Sequence, residues 1–260
     1  MSEPLPALFL GHGSPMNAIQ RNRYTEAWSG IAARLPRPKA IVCVSAHWYT
    51  RGSAVTINTA PETIHDFGGF PPELYQVQYP APGDPQLARR VQQLLSPVST
   101  QLSEQWGLDH GSWSVLQHLY PEADVPVIQL SIDGTKPAQF HFETGRRLAA
   151  LRDEGVLILG SGNVVHNLYA YDRTSAAEAL PWAANFEDRT RELMLAGDYS
   201  SLIDYQKLGR EAALSIPTPE HYLPLLYILG AGAEGERRAI DFPVLGIDGG
   251  SVSMLAVQVD

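Results

Sequence analysis

The sequence predicts an α/β protein: one domain with a central, mostly parallel sheet flanked by helices, and a metal site at the C-terminal edge of the strands. Three observations carry this. Short apolar runs alternate with helical spacings, the order that builds parallel βαβ units. Three of those runs stop at a small or polar turn that leads into a histidine: His12, His47 and His166. The 260 residues contain no internal repeat and no linker, and 44% are hydrophobic, so residues 1–260 are expected to share one sizeable core.

Taken in order, residues 7–10 (Ala-Leu-Phe-Leu) form a buried run closed by Gly11-His12-Gly13-Ser14-Pro15. His12 therefore sits at a strand tip, the edge where open α/β sheets place their ligands. Its flanking glycines are expected to let a ligand approach closely. A turn histidine with a merely hydrogen-bonded ring is the plainer alternative. Residues 24–35 carry helical spacing (Trp28, Ile31, Ala32, Leu35), ended by Pro36 and Pro38. Residues 39–48 give a second strand ending at His47; parallel to the first, it would bring His12 and His47 to one edge.

Residues 54–58 suit a further strand. Residues 64–79 form an irregular segment rich in Gly, Pro and aromatics, of the kind that covers binding sites. His65 is read as packing within it. Residues 87–95 read as an amphipathic helix. His110 precedes a helix over 111–119, on which His118 is read as a satisfied or surface histidine. Residues 125–132 predict a strand. Residues 140–151 predict a helix with Arg146, Arg147 and Arg152 outward and His141 in no special setting. Residues 155–163 give another buried strand, after which comes His166. Residues 176–213 read as two helices. Thr218 is expected to cap a helix with Pro219 first and His221 in the first turn, where the helix dipole keeps an imidazole neutral. Residues 252–259 form the last strand.

The formal net charge is −9 and no basic cluster is present, which argues against nucleic acid and anionic membranes as partners. No apolar run approaches the ~20 residues that span a bilayer, and Met1-Ser2-Glu3-Pro4 lacks a signal-peptide pattern. Cys43 is the single cysteine, which excludes an intrachain disulfide and argues against a thiolate cluster. A cytoplasmic protein is expected, and any metal must be held by His, Asp or Glu.

Four of the eight histidines, His12, His47, His166 and His221, fall at strand tips or a helix start, and His110 is a fifth. Imidazoles without thiolates suit Zn, Fe(II), Ni or Cu. The segments Leu10-Gly11-His12-Gly13-Ser14-Pro15-Met16, Ser45-Ala46-His47-Trp48, His65-Asp66-Phe67-Gly68-Gly69-Phe70, Asp109-His110-Gly111, Ser161-Gly162-Asn163-Val164-Val165-His166-Asn167 and Pro217-Thr218-Pro219-Glu220-His221-Tyr222 add a more specific signal. Together, and in this order, they resemble the class III extradiol ring-cleavage dioxygenases, and within them the DOPA 4,5-dioxygenase branch.

The resemblance implies that His12, His47 and His221 bind a divalent metal. It implies Fe(II) for oxygenase activity, with Zn(II) as a metal such proteins also carry. His166 would lie beside the metal, as acid/base or as a further ligand, and His110 would line the substrate pocket and assist catalysis. The substrate would be a catechol such as DOPA, with O2 as co-substrate. Related enzymes complete the site with a glutamate, and Glu220 adjoins His221. Neighbours in a helical turn point ~100° apart, so one of the two reaches the metal, and the branch pattern favours His221. Two other readings stay open: a zinc-dependent hydrolase in the same cleft, and a non-catalytic metal-binding protein on this scaffold. Phe67, Phe70, Tyr75, Trp113 and Tyr222 suit either a ring pocket or core packing, and Arg51 is the nearest arginine after His47.

Overall fold

The computed structural model describes residues 4–174, 177–233 and 239–260. Met1 to Glu3, and Ala176 at the start of the expected helical region, lie outside them. Strand β1 (Ala7–Gly11) is buried along its length. A 3-10 turn (Pro15–Ala18) leads to α1 (Arg23–Arg34). The Asn22 side chain caps α1 by accepting the Tyr24 and Thr25 N–H groups, and Thr25 Oγ1 accepts the Asn22 N–H in return. Then come β2 (Ala40–Ser45), also fully buried, and the short β3 (Tyr49–Thr50) and β4 (Ser53–Thr56). The irregular loop follows and contains a 3-10 turn at Pro72–Gln76.

Next are α2 (Pro85–Leu95), β5 (Thr100–Ser103), α3 (His110–Leu119), β6 (Val127–Gln129) and β7 (Ile132–Asp133). Helices α4 (Ala138–Leu148) and α5 (Ala150–Asp153) lead to β8 (Val156–Gly162). The C-terminal part holds α6 (Pro181–Leu195), α7 (Tyr199–Ile203), α8 (Arg210–Ser215) and α9 (Leu223–Ala231). It ends in β9 (Ile240–Val244), β10 (Ile247–Asp248), β11 (Val252–Ser253) and β12 (Ala256–Val259).

The main sheet runs β6-β2-β8-β1-β12-β9. Its first four strands are parallel, and β12 and β9 add an antiparallel edge. Ser45 pairs with Ser161, and Gly11 with Gly162, so β2, β8 and β1 end level with one another. Alternate residues feed two cores. Ala7, Phe9, Val42 and Val44 face the core that includes α9, and Leu8, Leu10, Ile41 and Cys43 face the one that includes α1 and α3. Burial on both faces is why these strands read as unbroken apolar runs. Each large apolar side chain so buried contributes ~1.5–3 kcal/mol.

Several expectations need correction. The strand expected over 125–132 is two: β6 pairs with β2, whereas β7 leaves the sheet to pair with β3. Residues 140–151 divide into α4 and α5, and Arg152 is not outward. It is buried, donating from Nε to the Leu5 carbonyl and from Nη1 to the Ala231 carbonyl. The described part of 176–213 holds three helices and a 3-10 turn (Tyr205–Leu208), not two helices. Residues 252–259 form two strands, interrupted at Met254 and Leu255. The helix after Thr218 begins at Leu223, with Pro224 in its first turn. Pro219 instead closes a tight turn, its carbonyl accepting the Tyr222 and Leu223 N–H groups.

Candidate active site

His12 directly follows β1, and its backbone N–H donates to the Gly162 carbonyl across the sheet edge. The glycines around it make room for the chain itself. A Cβ at Gly11 would lie 2.6 Å from the Ser253 carbonyl oxygen, and one at Gly13 (φ +60°) 2.4 Å from Met254 Sδ. Only glycine lets the final segment cross here. The His12 ring is oriented from behind. Ser161 Oγ donates to the Gly111 carbonyl and so accepts from His12 Nδ1–H at 3.0 Å, which leaves Nε2 free to ligate.

His47 lies two residues past β2, its backbone N–H donating to Ser45 Oγ. Its Nε2 is 3.1 Å from His12 Nε2. His221 comes from the Pro219 turn, held where the Asn163 N–H donates to the His221 carbonyl at 2.9 Å. The Glu220 carboxylate accepts from His221 Nδ1–H at 3.2 Å and from Thr218 Oγ1 at 2.7 Å. Glu220 thus sits behind His221 on its Nδ1 side, and with His166 and His221 it forms a further group of candidate metal donors. One ring nitrogen from each of His12, His47 and His221 lies within 4.8 Å of the other two.

His166 follows β8 by four residues and reaches the same cluster, but through His221. The two rings stack at 3.5 Å between centroids and 10° between planes. His166 groups with Glu220 and His221, while His12, His47 and His221 form a separate group. His110 begins α3 behind the Asp109 N-cap, and its ring centroid is 3.8 Å from that of His47. Asp109 is fully buried. It accepts from Ser45 Oγ and Gln129 Nε2 at 2.7 Å each, tying the β2 tip, β6 and α3 together beneath the histidines.

The 64–79 loop lies against this cluster. Phe67 meets the His110 ring edge-on at 5.5 Å. Asp66 Oδ1 accepts the His110 backbone N–H at 2.8 Å. His65 packs within the loop, its Nε2 donating to the Val77 carbonyl, and His118 donates to the Asn17 carbonyl. Trp113 and Tyr222 are core residues: the Trp113 indole donates to the Ile64 carbonyl and the Tyr222 hydroxyl to the Leu202 carbonyl. Arg51 lines a polar hollow with Trp48, Gln101 and Trp106 that none of the clustered histidines borders.

Burial, reinforced by mutual repulsion, favours the neutral form of His12, His47, His166 and His221. It pushes His12 and His221 well below the usual imidazole range. His47 falls to about 3 through burial and His110, partly opposed by Asp66 and Glu220. His166 falls to about 4 through burial, with Glu220 opposing. Burial raises Asp66, but the His110 contacts and neighbouring His47 outweigh it and lower its pKa overall. Neutral imidazole is the form that binds metal. Three donors on one ion at ~2.0–2.1 Å must sit a few ångströms apart. His12, His47 and His221, converging with Nδ1 of His12 and His221 already engaged, fit a divalent transition metal.

A mostly parallel α/β sheet carrying imidazoles at its carboxyl edge defines the class, and similarity supplies the family. Residues 6–249 match the catalytic LigB subunit of aromatic ring-opening dioxygenase, and the chain belongs to that family. It is an extradiol ring-opening dioxygenase of catechols, and the family carries a non-haem metal. Over 99% of its length it is 54% identical to the 4,5-DOPA dioxygenase extradiol of Escherichia coli K12, covering 96% of that protein. It is 40% identical to the 4,5-DOPA dioxygenase extradiol of Beta vulgaris, over 88% of this chain and 87% of the relative. A crystal structure of an uncharacterized protein from Escherichia coli K12 superposes with a TM-score of 0.86 at 48% identity, covering 98% of this chain and all of that one.

Ser161, Gly162, Asp66 and Asp109 had no assigned role in the sequence reading, although all four stand inside the family-like segments.

Proposed function

We propose that this chain, acting as one catalytic domain, opens a catechol bearing an amino-acid side chain, with DOPA as the example, using O2 and an Fe(II) ion held by His12, His47 and His221. The observation that carries the metal assignment is the convergence of those three imidazoles, His12 and His221 buried and His47 partly so. Relatives named 4,5-DOPA dioxygenase support the substrate. Bound there, Fe(II) supplies the redox access and Lewis acidity through which a catecholate and O2 react.

The chain's own groups do the rest. His166, held neutral, accepts a proton from a catechol hydroxyl and returns it to the opening product. Its stacking on His221 keeps it beside the metal position. His110 presents its ring to the substrate or to oxygen from the opposite flank. Phe67 and the 64–79 loop shield a bound ring from water. Zn(II) suits the same donors and is expected in some preparations, but supports no oxygenation. The partners are thus a small catechol and O2, and the net charge of −9 supports neither nucleic acid nor anionic membrane among them. Cytoplasmic residence is supported by the single, buried Cys43. Among the described residues no helix is long and apolar enough to cross a membrane.

Anaerobic reconstitution with Fe(II), then L-DOPA or protocatechuate with air, tests this. A yellow product with equimolar O2 uptake from DOPA is expected, and the Zn(II) form should be inert. Iron-loaded protein that consumes no O2 with either catechol would overturn the proposal.

A further inference from the structure

The 64–79 loop brings one carboxylate against two histidines of the site. Asp66 Oδ1 accepts the His110 backbone N–H at 2.8 Å and lies 3.0 Å from His110 Nδ1. Asp66 Oδ2 lies 3.5 Å from His47 Nδ1. Among the described residues it has no lysine or arginine partner, so imidazoles are the cationic groups it can pair with. The loop is pinned one turn away: the Ile64 N–H donates to the Leu108 carbonyl, and the Trp113 indole donates to the Ile64 carbonyl. Asp66 is therefore placed by the same contacts that dock the loop on α3.

We propose that Asp66 is a positioning residue that fixes His110 as its Nδ1–H tautomer and thereby leaves the Nε2 lone pair for the cleft. Buried Nδ1 has no well-aligned acceptor as it stands, while the carboxylate sits at hydrogen-bond distance. Site hydrogen bonds commonly align only when substrate binds. Among the described residues His110 Nε2 has no hydrogen-bond partner, and it is the ring's remaining functional atom. With the proton held on Nδ1, Nε2 is an acceptor for a substrate hydroxyl. With the other tautomer it would be a donor, and one unpaired nitrogen would face a carboxylate. The backbone bond alone would make Asp66 a mere support for the first turn of α3, so the test must read the ring itself.

The inference rests on the ring-opening reading, but its primary readout does not need activity. In the zinc-loaded full-length protein, long-range 1H–15N NMR should show His110 as Nδ1–H. Asp66→Ala should lose that signature. Asp66→Asn keeps an acceptor in the same place and should retain the tautomer while losing the charge. In iron-loaded enzyme, kcat should fall ~10–100-fold for Asp66→Ala, the range of an outer-shell partner. KM should stay within about threefold and iron content unchanged, and Asp66→Asn should fall between. If Asp66→Ala does not fold, the near-isosteric Asp66→Leu, which also lacks an acceptor, is read in its place, and an unchanged His110 tautomer in it overturns the proposal. An unchanged tautomer in Asp66→Ala, or loss of iron from both variants, also overturns it. If wild-type enzyme opens no catechol, the functional reading fails while the tautomer measurement still decides the role of Asp66.

Discussion

Gly162 closes β8 directly beneath the turn that carries His221. A Cβ built there would stand 2.2 Å from the His221 carbonyl oxygen, against the 3.4 Å at which ordinary contact begins. Gly162→Ala must therefore push the Pro219 turn back by about 1 Å, or bend β8, which is pinned on both sides by β1 and β2. The turn is the freer element. Overpacking of this kind costs ~1–3 kcal/mol. The functional loss should be larger, because a misplacement of ~1 Å in a reacting constellation costs ~10²-fold. Iron retained after anaerobic reconstitution and gel filtration, O2 uptake with DOPA, and urea unfolding together read the effect. Gly30→Ala in α1, where the nearest atom is the Arg34 guanidinium at 3.7 Å, is the control. It should gain up to ~1 kcal/mol from helix propensity and leave activity unchanged. A Gly162→Ala enzyme with wild-type iron content and wild-type kcat would refute the claim that this close approach sets His221.

His166→Ala should keep iron and lose ~10²–10⁴-fold in kcat, the contribution of a positioned acid/base, whereas His12→Ala should lose the metal. Equal iron loss in both, measured by metal analysis, would make His166 a structural ligand. Ser161→Ala removes the acceptor behind His12 and should weaken metal affinity ~10–100-fold in a competition titration; unchanged affinity would show the Ser161 contact to be idle. His141, fully buried in α4 and bonded to the Tyr227 hydroxyl, is lowered by burial from 6.5 to about 4, partly opposed by Lys136 and Asp133. The unfolded chain binds that proton first, so stability is full above about pH 6.5 and falls as pH drops toward 4, by at most about 3 kcal/mol. Urea unfolding across this range should show a shallower pH dependence for His141→Gln than for wild type, and parallel curves would contradict it.

The strands that carry the site were legible because they are buried on both faces. Residues 7–10, 39–48 and 155–163 read as apolar runs that end in a turn, so His12, His47 and His166 were placed at one edge. β9 was missed because it is a partly exposed edge strand containing Asp241 and Pro243, with no regular alternation to detect. The His221 turn misled for a different reason. Thr218-Pro219-Glu220 has the composition of a helix start, but Pro224 occupies the first turn of the real helix, and the earlier residues form a separate turn. Asp66 could not be assigned because an irregular loop has no periodicity from which to derive a facing direction. Its contact with His110 is made across 44 positions of sequence.

β1 lies between β8 and β12, and its antiparallel neighbour is the final strand of the chain. During synthesis His12 is therefore made early, yet its strand stays half-paired until residues 256–259 have been made. The segment that crosses Gly11 and Gly13, and the turn that supplies His221, also arrive late. A chain that has not reached His221 lacks one of the three converging imidazoles, and one that stops short of Ala256–Val259 leaves β1 as an exposed, apolar edge open to strand addition from another molecule. A metal held by these histidines would thus report that the chain through Val259 has been made and folded, and termination before Ala256 should yield aggregates, not a weakly active fragment.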